Sequence, residues 1–132
     1  ATLCAAELVT EYNLTAVRLF TFGCPRVGNA KFAKALKNTS LVNTRVVHDR
    51  DIVPSVPFQD LGFHHAAREV WQRRIRVGRT PFAIVVEITC DESGEDKRCQ
   101  DSLCGTPGGC TSVADHLTYL DVPLGGRKGF DC

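Results

Sequence analysis

The order of the elements predicts an α/β fold built on a parallel sheet. Helix and strand patterns alternate through the first 50 residues, with short connections between them. Such alternation is typical of parallel strands with helices packed on the faces of the sheet. A polar stretch rich in glycine and cysteine predicts a long loop further on. The chain has 132 residues, the usual size of one domain, so we expect a single core.

The first four elements follow from their apolar spacing. Residues 1–12 have the spacing of a helix, and because no capping residue precedes them we expect this helix to continue from a longer polypeptide. Residues 17–23 are rich in β-branched and aromatic side chains and predict a buried strand. Residues 30–36 predict a second helix with Lys31 and Lys34 facing outward, and residues 44–47 predict a second strand.

The pattern changes after residue 50. Pro54 and Pro57 predict an extended, non-helical stretch, because proline removes a donor and restricts the residue before it. Residues 69–77 and 82–89 predict two strands joined by a hairpin turn. Beyond them we expect a loop over residues 91–109 and then a short helix or turn over residues 112–119.

The predicted hairpin carries a local basic cluster, formed by Arg73, Arg74, Arg76 and Arg79. Contact with anionic lipid head groups is one interpretation. We favour the other, in which solvated charge protects an exposed sheet edge from pairing with another chain.

Composition and charge exclude several classes of protein. A hydrophobic fraction of 43% favours a globular fold over disorder. Apolar runs such as residues 82–86 are too short for a transmembrane segment. The formal charge of +1 gives no general attraction to nucleic acid. We expect no cofactor.

Seven cysteines favour disulfides, and therefore a secreted protein. Zinc is less favoured, because no two cysteines are separated by two residues and no histidine pair follows at ligand spacing. Cys90 with Cys99, and Cys104 with Cys110, are pairs that could each close a small loop. The odd count leaves at least one thiol free or paired outside the chain.

Asp51 and His116 have the order of a catalytic acid and base. In α/β hydrolytic enzymes these groups sit on loops at the carboxyl ends of strands, in the chain order nucleophile, acid, histidine. Asp51 follows the strand at residues 44–47, and His116 lies much later in the chain. Asp49 competes for the role of acid, but only Asp51 directly precedes Ile-Val-Pro, so we favour Asp51. Asp115 is expected to cap or solvate the turn.

Other polar residues have simpler interpretations. His48 is expected to pack at a strand end, and His64 and His65 to point to opposite faces, so they share no metal. Cys24 precedes a proline at a strand end, which predicts a buried, inert thiol. Surface positions are expected for the serines, at 40, 55, 93, 102 and 112. Core or pocket lining is expected for Trp71, Phe20, Phe22, Phe58 and Phe63.

Three motifs in order resemble the class 3 lipase family of filamentous-fungal triacylglycerol lipases and their feruloyl-esterase relatives. They are FTFGCPRVGN at residues 20–29, HDRDIVPSVP at residues 48–57 and DHLTY at residues 115–119. The opening ATLCAAEL is similar to the helix that follows the nucleophile elbow of that family. The resemblance implies that residues 1–132 are the C-terminal half of one α/β-hydrolase domain, with flanking helices and a disulfide-rich loop, and that the N-terminal half is missing.

The same resemblance implies a carboxylic ester hydrolase with Asp51 as triad acid and His116 as general base. No Gly-x-Ser-x-Gly occurs in residues 1–132, so the nucleophile, the oxyanion-hole amides and the lid are expected upstream. The implied substrate is triacylglycerol at a lipid–water interface, while phospholipid and feruloyl ester stay open. A Cys90–Cys99 disulfide is also implied, with Cys132 bridged to the missing half.

A second hypothesis comes from the cysteines and the absent serine. It is a non-enzymatic, disulfide-stabilised secreted module that binds a partner through its arginine-rich hairpin.

Overall fold

The computed structural model describes residues 1–66, 68–104 and 109–124. The helices of this part are α1 (Thr2–Thr10), α2 (Ala30–Lys37), α3 (Asp101–Cys104) and α4 (Val113–His116). The strands are β1 (Arg18–Phe22), β2 (Gly28–Asn29), β3 (Val42–His48), β4 (Phe63–His64), β5 (Arg68–Arg76), β6 (Ala83–Thr89), β7 (Thr118–Tyr119) and β8 (Val122–Pro123). No helix among these residues is long and apolar enough to cross a membrane.

The main sheet has four strands in the order β1-β3-β5-β6. Strands β1, β3 and β5 are parallel, and β6 returns antiparallel to β5 as the predicted hairpin. The predicted α/β class is therefore confirmed. Because the three parallel strands end at one edge, the residues that follow them are brought to the same side of the molecule.

Helix α2 contributes to one hydrophobic core of the molecule, together with α1. The Asn29 side chain caps the helix by accepting a hydrogen bond of 3.0 Å from the Phe32 amide. Ala33 and Leu36 are buried on its inner face with Val9 of α1, whereas the predicted outward lysines are exposed. Alternation of apolar and basic residues at helical spacing thus sets which face of α2 is buried.

The second core surrounds Trp71 and Val47, both completely buried. The Cys90–Cys99 disulfide, which the family resemblance implied, packs against them. A second disulfide joins Cys104 to Cys110. Cys4 and Cys24 are free thiols. Cys132 lies outside the described residues.

Four expectations about burial are wrong or need correction. Strand β1 is the outer strand of the described sheet, so Phe20 and Phe22 are 58% and 42% exposed, although a buried strand was expected. Phe58 is exposed as well, and Phe63 is half-buried. Cys24 is only half-buried. Burial depends on neighbouring elements, which local spacing does not specify.

One expectation about local structure also differs from the fold. Residues Val53–Ser55 form a 3₁₀ turn, although an extended stretch was expected, because the fixed φ of Pro54 also suits the first turn of a helix. Arg73, Arg74 and Arg76 lie on the part of β5 beyond Gln72, which pairs with β6 but no longer with β3, and Arg79 lies in the turn. This part of β5 is itself an unpaired edge, so the expectation that solvated charge protects a sheet edge stays a prediction.

Candidate active site

The loop after β3 places Asp51 beside the segment that leads to His116. The Asp51 amide donates a 2.9 Å hydrogen bond to the carbonyl of His48, the last residue of β3. Asp51 and Ser112 form a parallel bridge: the Ser112 amide donates to the Arg50 carbonyl at 3.2 Å, and the Ile52 amide to the Ser112 carbonyl at 3.3 Å. The two loops are therefore joined through their backbones.

The Asp51 carboxylate is fully buried and hydrogen-bonded at both oxygens. Oδ1 accepts from the Val53 amide at 2.8 Å. Oδ2 accepts from the Tyr119 hydroxyl at 2.5 Å and lies 3.0 Å from His116 Nδ1. The Gln100 side chain also donates to the Asp51 carbonyl at 2.7 Å. A buried carboxylate is tolerated when it is paired in this way.

His116 is the last residue of the short helix α4, which begins with a Ser112 cap. The Ser112 hydroxyl oxygen accepts from the Asp115 amide at 3.0 Å. The imidazole side chain is 32% exposed. With Nδ1 directed at Asp51, Nε2 is the ring nitrogen that remains for a further partner, and no described residue hydrogen-bonds to it. This is the arrangement that a histidine base requires.

Tyr119 lies under the pair and was given no role from the sequence. It is 2% exposed, and its hydroxyl donates to Asp51 while accepting from the His48 amide at 3.2 Å. Burial, followed by the hydrogen bond to Asp51, raises the pKa of Tyr119 well above its ordinary value. The hydroxyl therefore stays protonated and remains a donor. A tyrosine in the same short motif as His116 was the available signal.

Gly23 was also missed, although it ends the first predicted strand. Its φ is +61°, and an added Cβ would lie 2.7 Å from His116 Nδ1 and 2.8 Å from Asp51 Oδ2. Such distances are too short for any side chain. Gly23 therefore leaves the space in which the acid and the histidine meet, and the signal was a glycine directly after a strand at the shared edge.

Arg26 holds the loop that follows Asp51. Arg26 is buried, with 6% of the residue exposed. Its guanidinium donates to the Ser55 carbonyl at 2.7 Å and to the Pro57 carbonyl at 3.1 Å. It also makes two 2.8 Å hydrogen bonds to Glu95. Bidentate pairs of this kind specify geometry as well as adding energy. The loop is thereby tied to the disulfide-bonded segment.

A second buried polar group lies behind this loop and has a structural explanation. His65 Nε2 lies 2.8 Å from the Pro54 carbonyl oxygen, which a protonated Nε2 can hydrogen-bond. Desolvation, and then the nearby Arg45 charge, lower the pKa of His65 to about 2, so the ring is neutral. Arg45 in turn pairs with Glu69 at 3.1 Å. These contacts stabilise the fold.

No metal site follows from the histidines or cysteines of the described residues. His64 contacts the Ser93 carbonyl whereas His65 contacts Pro54, so the adjacent rings do not converge. One group of possible ligands combines Glu69 with Cys90 and Cys99. Both of those sulfurs are joined in a disulfide and are not available as thiolates.

The remaining candidate residues lie apart from the acid–histidine contact. The Asp115 carboxylate accepts from the Arg50 amide at 3.2 Å, as a capping residue does. His48 is buried and packs against Tyr119, as expected of a strand-end residue. Ser55 is a correction, because its hydroxyl is buried without a described partner, although a surface position was expected. Ser112 is partly buried as the cap of α4, whereas the serines at 40, 93 and 102 are exposed.

A cavity of about 220 Å³ is found at the opposite end of the sheet. Its lining includes Leu36 of α2, together with Val42 and Arg68 at the amino ends of β3 and β5. Asp51 follows the carboxyl end of β3, so this cavity is not beside the acid–histidine pair.

A carboxylate after a parallel strand, followed later in the chain by a histidine that contacts it, matches the chain order of acid and histidine in α/β-hydrolases. The family model of class 3 lipases matches residues 1–61. The Rhizopus oryzae lipase is 40% identical over 107 residues, which cover 81% of this chain and 24% of that protein. This chain belongs to the class 3 lipase family, as the motifs predicted.

Solved structures agree with the family. The Rhizomucor miehei triacylglyceride lipase superposes with a TM-score of 0.75 at 35% identity, covering 92% of this chain and 43% of that one. A triacylglycerol lipase described as having a serine protease triad in its catalytic centre superposes with a TM-score of 0.73 at 33% identity, again covering 92% and 43%. The chain thus spans about a quarter of the Rhizopus sequence and less than half of these structures.

Proposed function

We propose that this chain supplies the acid and the base of a lipid ester hydrolase. Asp51 is the triad acid and His116 the general base, and a serine in the preceding part of a longer polypeptide is the nucleophile. The observation that carries the proposal is the 3.0 Å contact between the partly exposed imidazole and a fully buried carboxylate. The limited coverage of the relatives supports a longer polypeptide, and from the family motifs we propose that residues 1–132 form the C-terminal half of its domain.

The chemistry follows from which atoms are already occupied. His116 Nδ1 faces Asp51, so Nε2 takes the proton of the serine hydroxyl as its oxygen attacks the ester carbonyl. The buried Asp51 carboxylate stabilises the imidazolium that forms. The imidazolium then gives its proton to the departing alcohol, which leaves an acyl-serine. Water, deprotonated by His116, then attacks the acyl-serine. The imidazolium returns that proton to the serine oxygen as the fatty acid leaves, which regenerates the serine hydroxyl and the neutral histidine.

Tyr119 and Val53 keep the acid oriented through this cycle. Their hydrogen bonds, at 2.5 Å and 2.8 Å, hold the two carboxylate oxygens in a fixed plane before the substrate binds. Preorganised donors and acceptors of this kind cost no reorganisation when charge develops. The imidazole therefore meets an acid that cannot rotate away.

Triacylglycerol is the substrate we propose, because triacylglycerol lipases are among the most similar structures. Phospholipid and feruloyl ester are the competing substrates. A series of p-nitrophenyl esters of increasing chain length, followed by emulsified triacylglycerol and a feruloyl ester, ranks them. Secretion is proposed with it, since two disulfides suit an oxidising compartment.

The test uses the natural polypeptide that contains residues 1–132 and a short p-nitrophenyl ester. Replacing His116→Ala or Asp51→Asn is expected to lower kcat by about 10⁴-fold, as loss of a triad member does in other serine hydrolases. His64→Ala is the matched control, because His64 bonds a loop carbonyl away from the pair and should retain activity. The isolated 132 residues should be inactive.

Two outcomes contradict the proposal. One is full activity in the His116→Ala protein. The other is hydrolysis by the isolated 132 residues that His116→Ala abolishes, because the nucleophile would then lie within this sequence. The non-enzymatic binding module becomes the better hypothesis if the natural polypeptide hydrolyses none of the esters.

A further inference from the structure

The β5–β6 hairpin extends beyond the sheet on the side of the acid–histidine pair. His48, the last residue of β3, is level with Gln72 of β5. Strand β5 continues to Arg76, which still pairs with Ala83 of β6. Four residues of strand span about 13 Å. Because β3 and β5 are parallel, this extension projects past the edge where the Asp51 loop begins.

The end of this hairpin, residues 73–85, is apolar and exposed. We refer to it as the hairpin tip. Phe82 is 73% exposed, and four aliphatic side chains are between 39% and 52% exposed: Ile75, Val77, Ile84 and Val85. Ile75 is level with Ile84 on one face of the ribbon, whereas Val85 is level with Arg74 on the other. Large apolar side chains exposed in this number are unfavourable in water and commonly mark a surface that binds a partner or a membrane.

The hairpin tip is also strongly basic. It contains Arg73, Arg74, Arg76 and Arg79, and no acidic residue occurs between Gln72 and Glu87. Arg73 lies over the Trp71 ring at 5.1 Å. None of the four takes part in the ion pairs found among the described residues. The formal charge of the whole chain is only +1, so the rest of the molecule is net negative.

We propose that the hairpin tip docks the protein on an anionic lipid surface. The arginines bind phosphate groups of the lipid, and Phe82 with its aliphatic neighbours enters the boundary between head groups and acyl chains. The charge complementarity argues for this occupant over a second copy of the chain, since two copies packed tip against tip would bring two sets of arginines together. Docking here would hold the sheet edge that bears Asp51 and His116 near the lipid.

This inference goes beyond the proposed hydrolysis, and its test measures binding only. Co-sedimentation compares vesicles of phosphatidylcholine with vesicles that also contain phosphatidylglycerol. We expect the protein to prefer the anionic vesicles and to lose that preference at high salt. The triple variant Arg74→Gln/Arg76→Gln/Arg79→Gln should bind the anionic vesicles about a hundredfold more weakly, roughly fivefold for each arginine. Arg73 is kept because of its contact with Trp71.

The matched control removes the same charge elsewhere. Lys31→Gln/Lys34→Gln/Lys97→Gln changes three exposed lysines outside the hairpin and should leave vesicle binding within about twofold of the unchanged protein, because these residues lie away from the docking surface. Phe82→Ser should weaken binding to both kinds of vesicle. Thermal unfolding confirms that each variant is folded, and if the triple variant is not, Arg79→Gln in the exposed turn replaces it.

Three results would overturn the inference. The triple variant binds as tightly as the unchanged protein, or the lysine control loses as much binding, or the arginines prove to mediate a concentration-dependent dimer without vesicle binding. Hydrolysis of a soluble short-chain ester should be the same in the triple variant. A failure of vesicle binding therefore does not contradict the Asp51–His116 proposal, and a failure of ester hydrolysis does not contradict the docking inference.

Discussion

Asp51 illustrates how a completely buried charge is accommodated at the scale of single residues. A carboxylate removed from water is costly unless hydrogen bonds replace its hydration. Here three donors do so: the Val53 amide, the Tyr119 hydroxyl and the His116 ring. The consequences of removing one of them can be predicted.

Tyr119→Phe should destabilise the protein by about 1–3 kcal/mol, since it leaves Asp51 Oδ2 with one fewer donor in a buried site. Urea unfolding measures the change. Tyr12→Phe is the control, because Tyr12 is 65% exposed and its replacement should alter stability by no more than about 0.5 kcal/mol. Equal effects of the two variants would show that the Tyr119 hydroxyl contributes nothing to the buried carboxylate.

The same variant predicts a dependence on pH. The pKa of Tyr119 is raised in the folded protein, so its stabilising contribution is complete below the unfolded pKa of about 10 and is lost as pH rises further. Above pH ~10 the unchanged protein should lose about 1.4 kcal/mol per pH unit relative to Tyr119→Phe. The measurement covers about pH 9 to about pH 12, a range that brackets the ordinary tyrosine pKa. Parallel stability curves for the two proteins over this range would contradict the raised pKa.

Gly23→Ala should separate the acid from the histidine. The added methyl would lie 2.7 Å from His116 Nδ1, so the imidazole must move, and ester hydrolysis by the natural polypeptide should fall by about 10²-fold or more. Gly62→Ala is the matched control, because Gly62 also has a positive φ, +85°, but no atom within 4 Å of the added methyl. Both variants should pay a backbone cost of about 1–2 kcal/mol. Only Gly23→Ala should lose activity, and equal activity in the two would exclude the steric role.

Some residues of the site could be predicted and others could not. Asp51 was preferred to Asp49 because it precedes Ile-Val-Pro, and the structure brings its carboxylate to His116. Tyr119, Gly23 and Arg26 were missed. Tyr119 and Gly23 each had a local signal, but the contacts that define their roles join parts of the chain that are distant in sequence, and local pattern does not specify such contacts.

At the scale of elements, the boundaries of strands and helices followed the predictions closely, whereas burial did not. The predicted strand at residues 17–23 is β1, and the predicted hairpin is β5–β6. The exposure of Phe20 arises because β1 has a partner on one side only within the described sheet. A β-branched and aromatic run predicts a strand, but its place in the sheet order decides what it contacts.

Arg26 shows how a side chain joins elements. Arg26→Gln should destabilise the protein by about 3–5 kcal/mol, because it leaves the buried Glu95 carboxylate without its bidentate partner. Arg68→Gln is the control: Arg68 pairs with Glu92 at the surface, where both side chains are about half exposed. That pair should contribute about 0–1 kcal/mol. Chemical denaturation measures the free energy of unfolding of the two variants. Similar decreases in both would mean that the buried Arg26–Glu95 pair stabilises the fold no more than the exposed Arg68–Glu92 pair.

At the scale of the whole molecule, large apolar side chains are exposed on the N-terminal segment and on β1. Leu3 and Tyr12 of the N-terminal segment are 63% and 65% exposed, besides Phe20 and Phe22 on β1. If residues 1–132 form part of a longer domain, the rest of that domain should cover this surface.

The isolated 132 residues should therefore bind the dye ANS several-fold more strongly than the natural polypeptide that contains them, since ANS reports exposed apolar surface. Phe20→Ser/Phe22→Ser should remove part of that excess. Phe82→Ser is the control, because it should lower dye binding equally in both lengths of chain. Equal dye binding by the two lengths would contradict a covered β1 face.

Local pattern was sufficient for the α/β class, the hairpin and the outward lysines of α2, while the motifs that resemble the lipase family singled out Asp51 and His116 as candidate acid and base. These features depend on periodicity and on motifs of adjacent residues. The three-dimensional fold settled the sheet order, the burial of Asp51 against Tyr119, the space left by Gly23 and the projection of an arginine-rich tip beyond the sheet. Those features depend on contacts between residues that the chain separates by tens of positions, and only packing decides such contacts.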